Sequence, residues 1–135
     1  MIKYRKGYKY QLAEEYVIRT TVRPHQPIEH DFIGLTLDGM LIIRSGYSWD
    51  GPSGPTFDTK SSMRASLVHD ALYQLMREEL IGLSNRPIAD DMLYQLCLED
   101  GMWRLRAWLW RREVKKFAAF AALPENEKPI IQAGK

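Results

Sequence analysis

After Arg44 and through Ser62 the chain reads S-G-Y-S-W-D-G-P-S-G-P-T-F-D-T-K-S-S, with three glycines, two prolines and neither a helical nor an alternating period. Proline lacks the donor that a strand interior needs and glycine weakens a helix, so this stretch reads as loop and separates two halves of different pattern. Before it the text is β-like. Tyr8 to Thr20 mixes aromatic and β-branched residues with polar ones, and Arg23-Pro24-His25-Gln26-Pro27 then breaks the run. In F-I-G-L-T-L-D-G-M-L-I-I, Asp38-Gly39 sits between two apolar runs, which predicts a type I′ hairpin with Phe32 to Leu37 paired to Met40 to Ile43.

After the loop the text is helical. Ser61 or Ser62 can cap a helix reaching about Leu80, with Ala65, Leu72 and Met76 near one face and Gly82 as its stop. A second helix starts near Asn85, tolerates Pro87 in its first turn, and ends before Gly101. A third, Met102 to Ala122, aligns Trp103, Ala107, Trp110, Val114, Phe117 and Ala121 in one stripe that needs a partner surface. The expected fold class is therefore α+β: an N-terminal antiparallel β-sheet with a hairpin, followed by a three-helix segment. It is read as a single domain over residues 1–123, with the β part about 1–49, the loop 50–61 and the helices 62–122, and a loose tail over 124–135.

At 135 residues and 45% hydrophobic, the chain is long enough for one core of its own. Lys plus Arg exceed Asp plus Glu by 19 to 17, a formal charge of +2 that does not by itself imply a nucleic-acid or membrane partner. The lone Cys97 allows no internal disulfide, fits a reducing cytoplasm and reads as core packing. The N-terminus M-I-K-Y-R-K-G-Y-K-Y is basic but lacks the apolar run of a signal peptide, and no stretch approaches about 18 uninterrupted apolar residues. Neither export by a cleaved signal nor a membrane span is expected.

The stretch S-L-V-H-D-A-L-Y carries one of only three histidines inside an apolar helical run. His69 and Tyr73, four residues apart, share a helix face, whereas Asp70 points about 100° away, toward the side from which the loop enters. An arbitrary His-Asp pair on a helix most often has no chemistry: a core-edge imidazole on a backbone carbonyl beside a solvated carboxylate. Two neighbours argue for more here. On the second helix Asp90 shares a face with Leu93, Tyr94 and Cys97, while Asp91 lies beside Gln95 and Leu98, so Asp90 is the inward carboxylate and needs a partner. The Tyr73 hydroxyl and the His69 ring can serve if the two helices run antiparallel. In the loop, Asp50, Asp58, the Ser53 and Thr56 hydroxyls and the carbonyls around Gly51 and Gly54 are hard oxygen donors of the kind Ca²⁺ prefers. With Asp70 they suggest a cation site beside His69, against the plainer reading of a proline-stiffened turn whose carboxylates cap nearby amides.

The ordered set W-D-G-P-S-G-P-T, L-V-H-D-A-L-Y-Q-L-M-R and R-P-I-A-D-D-M-L resembles a family of small phage and prophage proteins of unknown function with the pattern D-G-x-S-x-P, H-D-x-x-Y and R-x-x-A-D. The resemblance covers roughly residues 30–110, includes Ser53 and Arg86 among its motif positions, implies a phage origin and names no activity. It also implies synthesis in a host cytoplasm, with association to a virion as an expectation. A second likeness is to the secreted and bacterial phospholipase A2 class, which carries an Asp-Gly loop, then His-Asp-x-x-Tyr on one helix and an aspartate on the next. That likeness implies His69 as base, Asp90 as the carboxylate that orients it, Tyr73 as hydrogen-bond partner of Asp90, and Asp70, Asp50 and Gly51 as Ca²⁺ ligands. The disulfides of that class are absent here, and a β-rich first half is foreign to it.

Arg104, Arg106, Arg111, Arg112, Lys115 and Lys116 share the third helix with Trp103, Trp108 and Trp110. A solvated basic face opposite a core stripe is the ordinary reading. The functional one is an interface with phospholipid or the bacterial envelope, since tryptophan and cations together suit anionic headgroups, and nucleic acid is not expected. Two functions follow: a phage-encoded, Ca²⁺-assisted hydrolase of the phospholipase A2 type, or a non-enzymatic virion or assembly protein, contacting other phage proteins, whose His-Asp-Tyr network fixes a helix pair.

Overall fold

The computed structural model describes residues 4–5, 10–49 and 60–121, with side chains described over 10–49 and 61–113. Seven short strands precede three helices: β1 (Tyr4–Arg5), β2 (Tyr10–Leu12), β3 (Tyr16–Arg19), β4 (Ile28–His30), β5 (Ile33–Leu35), β6 (Met40–Ile43), β7 (Ser48–Trp49), then α1 (Lys60–Arg77), α2 (Arg86–Glu99) and α3 (Arg104–Ala121). The fold class is α+β. The strands form two antiparallel sheets in the orders β1-β2-β7 and β3-β6-β5-β4 rather than one. Ser48–Trp49, inside the stretch read from its prolines and glycines as loop, pairs with β2. The segment 50–59 and the expected tail over 124–135 lie outside the described residues.

The predicted hairpin is present, in register Ile33↔Ile43, Gly34↔Ile42 and Leu35↔Leu41. Its turn is not type I′. The Gly39 N–H donates to the Thr36 carbonyl at 3.0 Å and the Thr36 N–H to the Met40 carbonyl at 3.0 Å, closing a three-residue loop. Gly39 has φ +95° while Leu37 and Asp38 stay at negative φ, the signature of a type I turn followed by a left-handed glycine. The reason lies in the residue that follows β3: the Thr20 amide and hydroxyl both donate to the Gly39 carbonyl, at 2.7 and 2.9 Å, and hold the glycine against the strand end. A Cβ on Gly39 would stand 2.4 Å from the Thr20 oxygen, so no other residue fits there.

α1 is the centre of the packing. Leu67, Val68, Ala71, Leu72, Leu75 and Met76 are all buried with residues of both sheets and of α2. Side-chain bonds link the sheets to α1: the Trp49 indole donates to the Ser66 hydroxyl at 3.0 Å, and the Tyr47 hydroxyl to Gln74 at 3.3 Å. α1 begins at Lys60, so Ser61 and Ser62 lie in its first turn rather than ahead of it.

The stop of α1 is Glu79, not Gly82. The Leu80 N–H reaches the Leu75 carbonyl at 2.9 Å and the Glu79 N–H reaches Met76 at 3.0 Å, a Schellman pair with Glu79 in the left-handed region at φ +62°. Gly82, at φ −77°, instead precedes a 3₁₀ turn over Leu83–Asn85. A glutamate in that conformation is strained, and Glu79→Gly is expected to stabilise the fold by about 0.5–1 kcal/mol in urea unfolding, the relief of the left-handed strain less the added freedom of the unfolded chain. α2 ends as predicted: Gly101 at φ +100° lets the Met102 N–H bond the Cys97 carbonyl at 2.9 Å. Cys97 is core, and burial pushes its thiol up to about 12.

α3 begins at Arg104, and Trp103, expected at the head of the packed stripe, lies before the helix and is 83% exposed. Of that stripe, Ala107 and Trp110 are buried, while the side chains of Val114, Phe117 and Ala121 are outside the described residues. Among the described residues no helix is long and apolar enough to cross a membrane.

Candidate functional site

Two contacts set the direction of α2 against α1. Near the start of α1 the Arg64 guanidinium meets the end of α2: Nε and Nη2 bond the two oxygens of Asp100 at 3.1 and 3.0 Å, and Nη2 also reaches Glu99 at 2.8 Å. Midway along α1, His69 and Tyr73 meet Asp90, so the helices are antiparallel. Arg64 also donates to the Tyr16 hydroxyl of β3 at 3.1 Å; burial is the largest single influence on the guanidinium and disfavours its charge, but the bonds to Asp100, Glu99 and Tyr16 together outweigh it and hold the pKa above its ordinary value. This clamp was not read from the sequence. The available sign was one arginine among the small and apolar residues Met63 to Val68 of α1, with Glu99-Asp100 just before a glycine stop.

His69 Nε2 lies 2.8 Å from Asp90 Oδ1, and the Tyr73 hydroxyl donates to the same oxygen at 2.8 Å. The three residues are 5%, 3% and 2% exposed, and the His69 and Tyr73 rings stack with centroids 4.3 Å apart. A carboxylate only accepts, so Nε2 is the ring nitrogen that points its proton at Asp90, and the tautomer this contact selects has its lone pair on Nδ1. Asp90 thus fixes which ring nitrogen is basic, and Tyr73 fixes Asp90. Asp91, one residue on, is exposed and bonds Arg111 at 2.6 Å, as the helix geometry predicts for the outward member of the pair.

The Tyr73 phenol is held well above its ordinary value, first by burial and then by its bond to, and the charge of, Asp90, with Arg86 opposing. A raised phenol stays protonated in the folded chain while the unfolded chain ionises near pH 10. Its contribution is therefore complete below about pH 10 and falls as pH rises beyond it, by up to about 1.4 kcal/mol per pH unit. Urea unfolding at stepped alkaline pH is expected to show a steeper loss for the natural chain than for Tyr73→Phe.

Asp70 is half-buried on α1 and Arg86 half-buried at the start of α2. Asp50, Gly51, Ser53, Thr56 and Asp58 lie outside the described residues. Among the described residues no three His, Cys, Asp or Glu side chains gather around a common point. The donors predicted for a cation are all oxygen, which suits Ca²⁺ by type; Asp70, Asp50 and Gly51 supply fewer than the six to eight ligands it takes, and water or further carbonyls would complete the shell. No protein-family model, curated protein or solved structure matches the chain.

Proposed function

We propose that the protein is a phage-encoded ester hydrolase resembling phospholipase A2, acting on bacterial envelope lipid or another ester. The observation that supports this most is the pair of 2.8 Å contacts on one Asp90 oxygen, from His69 Nε2 and the Tyr73 hydroxyl. In this reading His69 Nδ1 takes a proton from water as the oxygen attacks the ester carbonyl. The Asp90 carboxylate stabilises the imidazolium, and the same proton then passes to the leaving alkoxide. Tyr73 keeps Asp90 from turning and so keeps Nδ1 aimed. A Ca²⁺ ion held by Asp70, the Asp50 carboxylate and the Gly51 carbonyl would supply positive charge to the carbonyl oxygen.

A second reading, a virion or assembly protein with a purely structural network, is favoured by the 5% exposure of His69, since a base must meet water and a strut need not. Hydrolysis of phospholipid vesicles by the purified protein, with Ca²⁺ and with chelator, separates the two. The hydrolase reading expects turnover that chelator removes. No turnover in either condition, together with calorimetry showing no Ca²⁺ binding, leaves the structural reading.

A further inference from the structure

Among the side chains described, 104–113, α3 turns aliphatic and aromatic groups to the side that faces away from the protein. Ala107 and Trp110 pack inward, and at 100° per residue the opposite side of the helix carries Leu105, Trp108, Leu109 and Arg112. Leu105 is 68% exposed, Trp108 45% and Leu109 44%, and the exposed Trp103 stands just ahead of them. A helix packed on one side ordinarily turns charge to water on the other, so an outward Leu-Trp-Leu surface marks something that covers it.

The charges around this surface indicate what. Arg104 and Arg106 flank it and are exposed, and the Arg112 guanidinium lies 5.7 Å from the centre of the Trp108 ring, placing a cation directly beside the buried-to-be indole. Arg111 sits at the inner edge, bonded to Asp91 and 5.5 Å over the Tyr94 ring, and anchors the helix to α2. Cations and tryptophan around aliphatic side chains complement a bilayer surface, where phosphates meet the arginines and the acyl boundary takes the leucines and indoles. A second copy of the chain would set Arg104, Arg106 and Arg112 against their counterparts, with the exposed Glu113 alone to offset them. Nucleic acid would cover Leu105 and Leu109 with phosphate, to which aliphatic groups offer nothing.

We infer that the outward face of α3 docks the protein flat on an anionic phospholipid surface. The inference goes beyond the hydrolase reading and stands without it, since binding is measured apart from turnover. The test is sedimentation of the full-length protein with vesicles of phosphatidylcholine alone and of phosphatidylcholine mixed with phosphatidylglycerol. Binding to the mixed vesicles is expected to exceed binding to the neutral ones and to fall with added salt. Arg104→Gln combined with Arg106→Gln should weaken it about 25-fold, at about fivefold for each charge near the surface. Leu105→Ser combined with Leu109→Ser should weaken it too, and both pairs change only exposed side chains, so circular dichroism should match the natural chain. Any of four results overturns the inference: no sedimentation with either vesicle, sedimentation that neither pair alters, self-association that Leu105→Ser abolishes, or duplex DNA bound in preference to the vesicles.

Discussion

Asp90→Ala is expected to destabilise the fold by about 2–6 kcal/mol in urea unfolding near neutral pH, the largest stability effect of any single change at this site. One Asp90 oxygen accepts from both the His69 ring and the Tyr73 hydroxyl, and all three residues are buried. Removing it leaves two buried donors without an acceptor, at about 1–3 kcal/mol each. Tyr73→Phe is milder, roughly 1 kcal/mol, because Asp90 keeps its bond to His69. Asp90→Asn is milder still, since the amide oxygen can accept both bonds. The order of the three variants carries the argument. If Asp90→Ala cost no more than Tyr73→Phe, water or a shift of α2 would be satisfying the donors, and the network would not be sealed.

The network was legible in sequence because it depends on local geometry. His69 and Tyr73 are four apart on one helix, and Asp90 is the inward member of an Asp-Asp pair, so their meeting required only that α1 and α2 run antiparallel. The hairpin was legible for a similar reason, an Asp-Gly pair between two apolar runs. What the sequence could not supply was decided by distant contacts. The turn type depends on Thr20 gripping the Gly39 carbonyl from 19 residues away. The end of α1 falls on Glu79, three residues ahead of the glycine that local preference would choose, where the Leu80 and Glu79 amides close onto Leu75 and Met76. The stripe on α3 was drawn from spacing alone, which placed Ala107 and Trp110 correctly but carried the pattern back to Trp103, before the helix starts. The division of the strands into two sheets follows from pairing between β2 and β7, which no local pattern announces.

His69→Gln is expected to lower any ester turnover by about 10²–10⁴-fold while leaving the fold close to that of the natural chain. The glutamine amide can still donate to Asp90, so the helix pair keeps its buried bond and only the basic nitrogen is lost. Asp90→Asn sharpens the comparison. Its oxygen accepts from Tyr73 and from His69 as the carboxylate does, but it carries no negative charge to set against an imidazolium. A base that must become cationic during the reaction is then raised in energy at that moment, so turnover should fall by at least about a hundredfold with little change in unfolding. The structural reading expects the reverse weighting: stability follows the count of satisfied donors, and no rate depends on the charge of residue 90. Steady-state hydrolysis and urea unfolding measured on the same Asp90→Asn preparation therefore decide between a base with its orienting carboxylate and a strut between two helices. An unchanged rate in that variant would remove the Asp90 charge from the chemistry, and an unchanged rate in His69→Gln would remove the imidazole, even if the protein proved to cleave esters.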